Sequence, residues 1–103
     1  LELEGRLLAD RLLELGAATE AEAAYRAVLA RAPASPAART GLARCLLATG
    51  RDRDAMKELA TGLRDDPRCI ELRLLAATWD ETRGALAEAA DHLAAILAVD
   101  NDH

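Results

Sequence analysis

Three glycines, Gly16, Gly50 and Gly84, recur along this chain at a fixed interval of 34 residues. Pro33 and Pro67 keep the same interval. A fixed period of this length is typical of chains that stack copies of one supersecondary unit. The 103 residues therefore divide into three units, at about residues 2–34, 35–68 and 69–102, which we expect to form a single domain.

Apolar residues inside each unit follow the spacing of an amphipathic helix. Leu8 and Leu12 share one helical face before the first glycine, and Ala21, Tyr25 and Val28 share one face after it. The same phases carry apolar residues in the other two units. The pattern predicts six helices, at about residues 2–15, 19–32, 36–49, 52–65, 68–83 and 86–99.

The composition excludes most other fold classes. The chain contains 25 Ala and 19 Leu, which favour helices, and it has one Trp, one Tyr and no Phe. Strands are enriched in β-branched and aromatic residues, which are scarce here. An all-β fold and a parallel α/β fold are therefore excluded.

Several residues have the character of helix ends. Each periodic glycine stands where one helix has to end and turn. Thr19 with Glu22 fits a capping box for the second helix. Ser35 before Pro36 fits an N-cap followed by a proline in the first helical position, and Asp66 before Pro67 is predicted to repeat that arrangement.

The repeated unit resembles the tetratricopeptide repeat over essentially the whole chain. The first copy carries the resemblance at Leu8-Ala9, Leu12, Gly16, Ala21, Tyr25, Val28-Leu29 and Pro33. The third copy departs from the pattern, with Ala76-Ala77 and Asp80 at phases where Leu-Gly and Tyr are expected. The resemblance implies an all-α fold, a right-handed α-solenoid of three helix-turn-helix repeats with six antiparallel helices.

Charge and length exclude several classes of function. The net charge of -5 and the near absence of aromatic residues argue against nucleic-acid binding. The longest apolar run has seven residues, which is too short for membrane insertion. No catalytic triad, phosphate-binding glycine loop or zinc motif occurs, so we expect no enzyme, no cofactor and no metal site. We expect a cytoplasmic chain that is a fragment of a longer protein.

The cysteines and histidines support the same interpretation. Cys45 and Cys69 fall at different helical phases, about ten residues apart in register, so we predict two free thiols. His92 stands at a phase outside the expected core and is predicted to be a solvated surface residue.

Binding in the tetratricopeptide family implies a concave groove lined by the first helix of each repeat. At the corresponding phases this chain carries Leu3, Arg6, Asp10, Leu13, Thr40, Arg44, Leu47, Glu71, Leu74, Thr78 and Glu81. Some family members clamp the terminal carboxylate of a peptide on these faces. Asp10 and Glu71 would repel such a carboxylate, so this mode of binding is not expected here.

Two further residues have open interpretations. Trp79 either fills the core in place of Asp80 or lies on the C-terminal flank of the array, where it contacts another repeat, domain or copy. Gly62 lies inside a predicted helix, so either a neighbour packs closely against it or that helix is locally weak.

The expected function is that of a protein–protein interaction scaffold, with a peptide or protein segment bound in the groove through Leu13, Arg44, Leu47 and Leu74. Two alternatives stay open: a structural arm that forms homo-oligomers through uncapped ends, and an arm that presents a substrate to a catalytic domain elsewhere. Uneven charge is compatible with end stacking, because residues 35–68 carry +2 and residues 69–103 carry -5.

Overall fold

A computed structural model describes residues 2–82, 84–85, 88, 91–92, 94–96 and 98. Within this part of the chain every regular element is a helix. The bounds are Glu2–Glu14 (α1), Ala18–Arg31 (α2), Pro36–Ala48 (α3), Asp52–Asp65 (α4) and Ile70–Thr82 (α5). The described residues from 88 to 98 are also helical, in agreement with the predicted sixth helix. The fold is a helical solenoid, as predicted.

The periodic glycines end the first helix of each repeat, as the sequence indicates. Gly16, Gly50 and Gly84 have φ angles of +82°, +77° and +81°, which residues with a β-carbon rarely adopt. Each glycine N–H donates to the carbonyl three residues earlier, and the next N–H donates to the carbonyl five residues earlier. This pair of hydrogen bonds is the Schellman motif, which satisfies the last carbonyls of the helix.

Of the three capping signals that the sequence predicted at helix starts, only the one at α3 is confirmed. Ser35 is the N-cap of α3, its hydroxyl accepts from the Ala38 N–H at 3.3 Å, and Pro36 is the first helical residue. The capping box at Thr19 and Glu22 is wrong, because α2 begins one residue earlier and its N-cap, Ala17, makes no side-chain hydrogen bond.

The second proline arrangement is also different from the prediction. Asp66 is the C-cap of α4, and its carboxylate accepts from the Arg68 N–H at 3.2 Å. Pro67 lies in the turn, and α5 begins only at Ile70. By the 34-residue period, Pro67 corresponds to Pro33 rather than to Pro36, so it belongs to the turn between repeats.

Among the residues that the structure describes, the core consists of two clusters, one at each junction between repeats. The first joins repeats one and two through residues that include Tyr25, Leu42 and Leu46. The second joins repeats two and three through residues that include Leu59 and Leu72. Burying each of these large side chains stabilises the fold by about 1.5–3 kcal/mol, so neighbouring repeats hold each other in place.

Two glycines inside helices allow the repeats to approach closely. The Tyr25 ring lies directly against Gly41 of α3. A β-carbon at Gly62 of α4 would come within 2.6 Å of Leu72 Cδ1 and 2.9 Å of Arg39 Cδ. Close packing therefore accounts for Gly62, in favour of the first of its two interpretations.

Candidate functional site

The first helices of successive repeats contact one another, α1 with α3 and α3 with α5, and form one surface. A groove of about 410 Å³ opens on this surface. It brings together six of the predicted site residues: Arg6, Asp10, Leu13, Thr40, Arg44 and Glu71. Four further residues line the groove and were not predicted from the sequence: Glu14, Tyr25, Ala37 and Gly41.

The floor of the groove contains a hydrogen-bonded chain of three residues. The buried Tyr25 hydroxyl donates to the Asp10 carboxylate, which also accepts from Arg6 Nη1 at 3.0 Å. Burial raises the pKa of Tyr25, and the hydrogen bond with Asp10 raises it further. The phenol therefore stays protonated at physiological pH and holds Asp10 in place.

Gly41 makes room for this arrangement. Without a side chain at residue 41, α3 can pass close to the Tyr25 ring, which reaches across to Asp10 on α1. The sequence signal was available, because residue 41 is a glycine inside a helical pattern at a phase where repeat three has Leu75. Such a glycine indicates a close approach.

Arg44 on α3 and Glu71 on α5 carry opposite charges on the two sides of the groove. Both side chains are exposed, and neither forms an ion pair or side-chain hydrogen bond within the described part of the chain. Arg6 and Asp10, in contrast, already neutralise each other. The groove therefore offers one cation and one anion that are available to a ligand.

The other predicted residues lie in different environments. Thr40 is buried, and its hydroxyl donates to the Pro36 carbonyl at 2.8 Å, so the groove receives mainly its methyl group. Leu13 and Leu47 are half-buried and pack against the core clusters. Leu74, Thr78 and Glu81 are exposed along α5. Leu3 lies in α1, but its side chain falls outside the described residues.

The two thiols are free, as predicted. Cys45 is fully buried, and burial, helped by the nearby charge of Glu22, raises its pKa to about 11. Cys69 is partly exposed at the start of α5. Among the described residues no group of three or more His, Cys, Asp or Glu side chains could hold a metal ion.

His92 is not the solvated residue that the sequence predicted. Its side chain is half-buried, with Nε2 3.5 Å from the buried Asp80 carboxylate and Nδ1 3.2 Å from Arg73 Nη1. One repeat earlier, Glu58 and Arg39 form an ion pair of 2.6 Å at the same phases. The shared period could therefore have identified His92 as a partner of Arg73.

Trp79 does not fill the core in place of Asp80, because Asp80 is itself buried and Trp79 is only half-buried. The indole lines a cleft of about 460 Å³ beside the first turns of α4, together with Asp52, Arg53, Met56 and Lys57. It therefore stands next to the junction of repeats two and three.

A family model described as tetratricopeptide repeat matches residues 12–78. A crystal structure of the type III secretion translocator chaperone SycD from Yersinia enterocolitica, in a form described as an alternative dimer, superposes with a TM-score of 0.82 at 21% identity. The match covers 95% of this chain and 74% of that chain, and the low identity makes it a likeness of fold.

No curated protein matches the sequence. Among the helices that the structure describes, none combines the length and the apolar character that crossing a bilayer demands.

Proposed function

Because this chain belongs to the tetratricopeptide repeat family, we propose that it is a non-catalytic interaction module that binds a peptide or protein segment in the groove between α1, α3 and α5. The family and the fold support a protein-interaction scaffold in general. The observation that carries the groove proposal is that six side chains from three repeats converge on one cleft of about 410 Å³. Clefts of this size hold a few side chains of a bound segment.

The charges of the groove favour a segment with residues of both signs. Arg44 is available to an acidic side chain, and Glu71 to a basic one. A free terminal carboxylate would meet Glu71 as well as Arg44, which disfavours a site dedicated to peptide C-termini. An internal segment with acidic and basic residues close together fits the pair better.

Apolar contacts extend the proposed site on both sides. Leu13 lines the groove at α1, and Leu74 is exposed on α5. Leu47 contributes mainly by supporting α3, since it packs against both core clusters. We therefore propose Leu13, Arg44 and Leu74 as direct contacts and Leu47 as a support beneath them.

Selection of displayed random peptides against the chain tests this proposal. Peptides that bind should lose about tenfold in affinity, or 1.4 kcal/mol, with Arg44→Glu, because a favourable charge contact becomes repulsive. Arg64→Glu is the matched control, since Arg64 is an exposed arginine on α4 outside the groove. Equal affinity for both variants would overturn the groove assignment.

Self-association is a second candidate function, and two observations favour it. Three of the large apolar side chains that are exposed, Leu7, Leu8 and Leu15, lie on or directly after α1. The crystal structure of SycD shows that protein as a dimer. Contact between copies would cover the apolar surface that this chain exposes.

A further inference from the structure

A second cleft, of about 340 Å³, lies between α1 and α2 and is lined by residues of repeat one alone. We call it the α1–α2 cleft, and it is lined by Glu4, Gly5, Leu8, Ala24, Ala27, Val28 and Arg31. None of these residues lines the groove between α1, α3 and α5. The cleft therefore needs an explanation separate from groove binding.

The equivalent surface is covered in the later repeats. Leu8 is 59% exposed, but its counterparts one and two periods later, Leu42 and Ala76, are 1% and 3% exposed. Leu42 packs in the cluster that contains Tyr25 of α2, and Ala76 in the cluster that contains Leu59 of α4. In each case the second helix of the preceding repeat provides the cover.

Repeat one lacks the arginine that connects the other repeats to the repeat before them. Arg39 donates to the Pro33 carbonyl at 2.9 Å, and Arg73 donates to the Pro67 carbonyl at 3.1 Å. The residue at this phase in repeat one is Gly5. The α1–α2 cleft is therefore not built to receive a preceding repeat in the way that α3 and α5 are.

The partner of that arginine is missing as well. Arg39 pairs with Glu58 and Arg73 contacts His92, whereas the corresponding residue beside Gly5 is Ala24. Two small residues replace a pair of long polar ones, and the floor of the cleft is apolar. Val28 packs closely against Gly5, where a β-carbon would come within 2.9 Å of Val28 Cγ2. A protruding apolar side chain from outside could fill this space.

The surface around the cleft is complementary to itself. Leu8 protrudes beside a hollow formed by Gly5, Ala24 and Ala27. The cleft also has Glu4 and Arg31 at its edge, and neither forms an ion pair within the described part of the chain. A two-fold interface brings the same patch of both copies together, so a patch with a projection, a hollow and both signs of charge can be complementary to itself.

We propose that two copies of this chain associate through the α1–α2 cleft, with Leu8 of each copy seated in the cleft of the other and Glu4 of each copy paired with Arg31 of the other. The interface is isologous, unlike head-to-tail stacking of the array ends. It deepens the self-association candidate and rests on it, and it is independent of groove binding.

Sedimentation velocity from micromolar to millimolar concentration tests the proposal. The chain should form a dimer whose dissociation constant rises about 100-fold or more with Leu8→Glu, since the substitution removes a contact from both copies. Ile70→Glu is the control, because Ile70 is an exposed apolar residue at the start of α5 that lines neither the α1–α2 cleft nor the groove. Circular dichroism checks that each variant keeps its helix content.

Exchange of the two charges tests the pairing itself. Glu4→Arg alone and Arg31→Glu alone should each weaken the dimer, because each places like charges opposite one another, and the double variant should restore it. A strict monomer at every concentration would overturn both this interface and self-association. A dimer that persists with Leu8→Glu, or double-variant affinity no better than that of the singles, would overturn this interface alone.

Discussion

The Tyr25 ring lies so close to the Cα atom of Gly41 that a β-carbon at residue 41 would overlap it. This contact joins repeat one to repeat two, and it places the phenol where its hydroxyl donates to Asp10 in the groove. A glycine inside α3 thus allows the close approach of the two repeats and the crossing of Tyr25 that shapes the groove.

Gly41→Ala is expected to destabilise the fold by about 1–3 kcal/mol, because the new methyl group overpacks the core. The sign of the change in stability is informative, since Gly→Ala inside a helix otherwise stabilises a protein by up to about 1 kcal/mol. Urea unfolding measures the change. In a Tyr25→Leu background the cost should shrink, as the ring is gone, and an unchanged cost would contradict the contact.

Ser35→Ala should reduce the free energy of unfolding by about 1 kcal/mol, because α3 loses the side chain that caps the Ala38 N–H. Thr19→Ala is the matched comparison. Thr19 is an exposed residue inside the first turn of α2 and caps nothing in the structure, so its loss should change stability by less than about 0.5 kcal/mol. Equal losses of stability for the two variants, in thermal or urea unfolding, would mean that Thr19 caps α2 as the sequence predicted.

The two cysteines should differ strongly in their rate of alkylation by iodoacetamide at pH 8. Cys45 is fully buried, and its pKa is raised to about 11, so it offers little thiolate and no access. Cys69 is partly exposed and should react first. Mass spectrometry of the peptides distinguishes the sites, and rapid labelling of Cys45 in the folded chain would contradict its burial.

Glu22 should make stability depend on pH. It accepts from both Arg51 and Arg26, and the hydrogen bond from Arg51 is the largest cause that lowers its pKa below the ordinary 4.5. Because the pKa is lower in the folded state, the pairs stabilise the fold above about pH 4.5, and this contribution is lost as the pH falls through the folded pKa.

Glu22→Gln should therefore cost up to about 1 kcal/mol at pH 7 and almost nothing at pH 2, as measured by urea unfolding. Glu20→Gln is the control, since Glu20 is exposed on the same helix and forms no ion pair within the described residues. A cost for Glu22→Gln that is the same at both pH values would show that charge is not the cause.

Single residues predicted several helix ends well, because one residue type meets the local requirement for a positive φ angle or for an N-cap. Gly16, Gly50 and Gly84 supply positive φ angles, and Ser35 before Pro36 fits a helix start on its own chemistry. Asp66 before Pro67 has similar chemistry, but the position in the period decides its role, and that position is the turn.

Side-chain partners between helices were harder to predict. The pattern placed His92 in solvent because its phase is outside the apolar stripe. In the structure its side chain is half-buried, and Arg73 and Asp80 provide its polar partners. The sequence predicted the polar residues Arg6, Asp10, Arg44 and Glu71 in the groove. It did not predict that Tyr25 crosses Gly41 to reach Asp10. That crossing depends on the distance between repeats, which a one-dimensional pattern does not contain.

Amide chemical-shift mapping with a peptide selected against the chain tests groove binding most directly. We predict that the largest shifts on titration fall on α1, α3 and α5 around Asp10, Arg44 and Glu71. Arg44→Glu should raise the peptide concentration that gives half of these shifts about tenfold, and Arg64→Glu should leave it unchanged. Shifts centred on the α1–α2 cleft or on the cleft beside Trp79, with the groove unchanged, would contradict the proposed function.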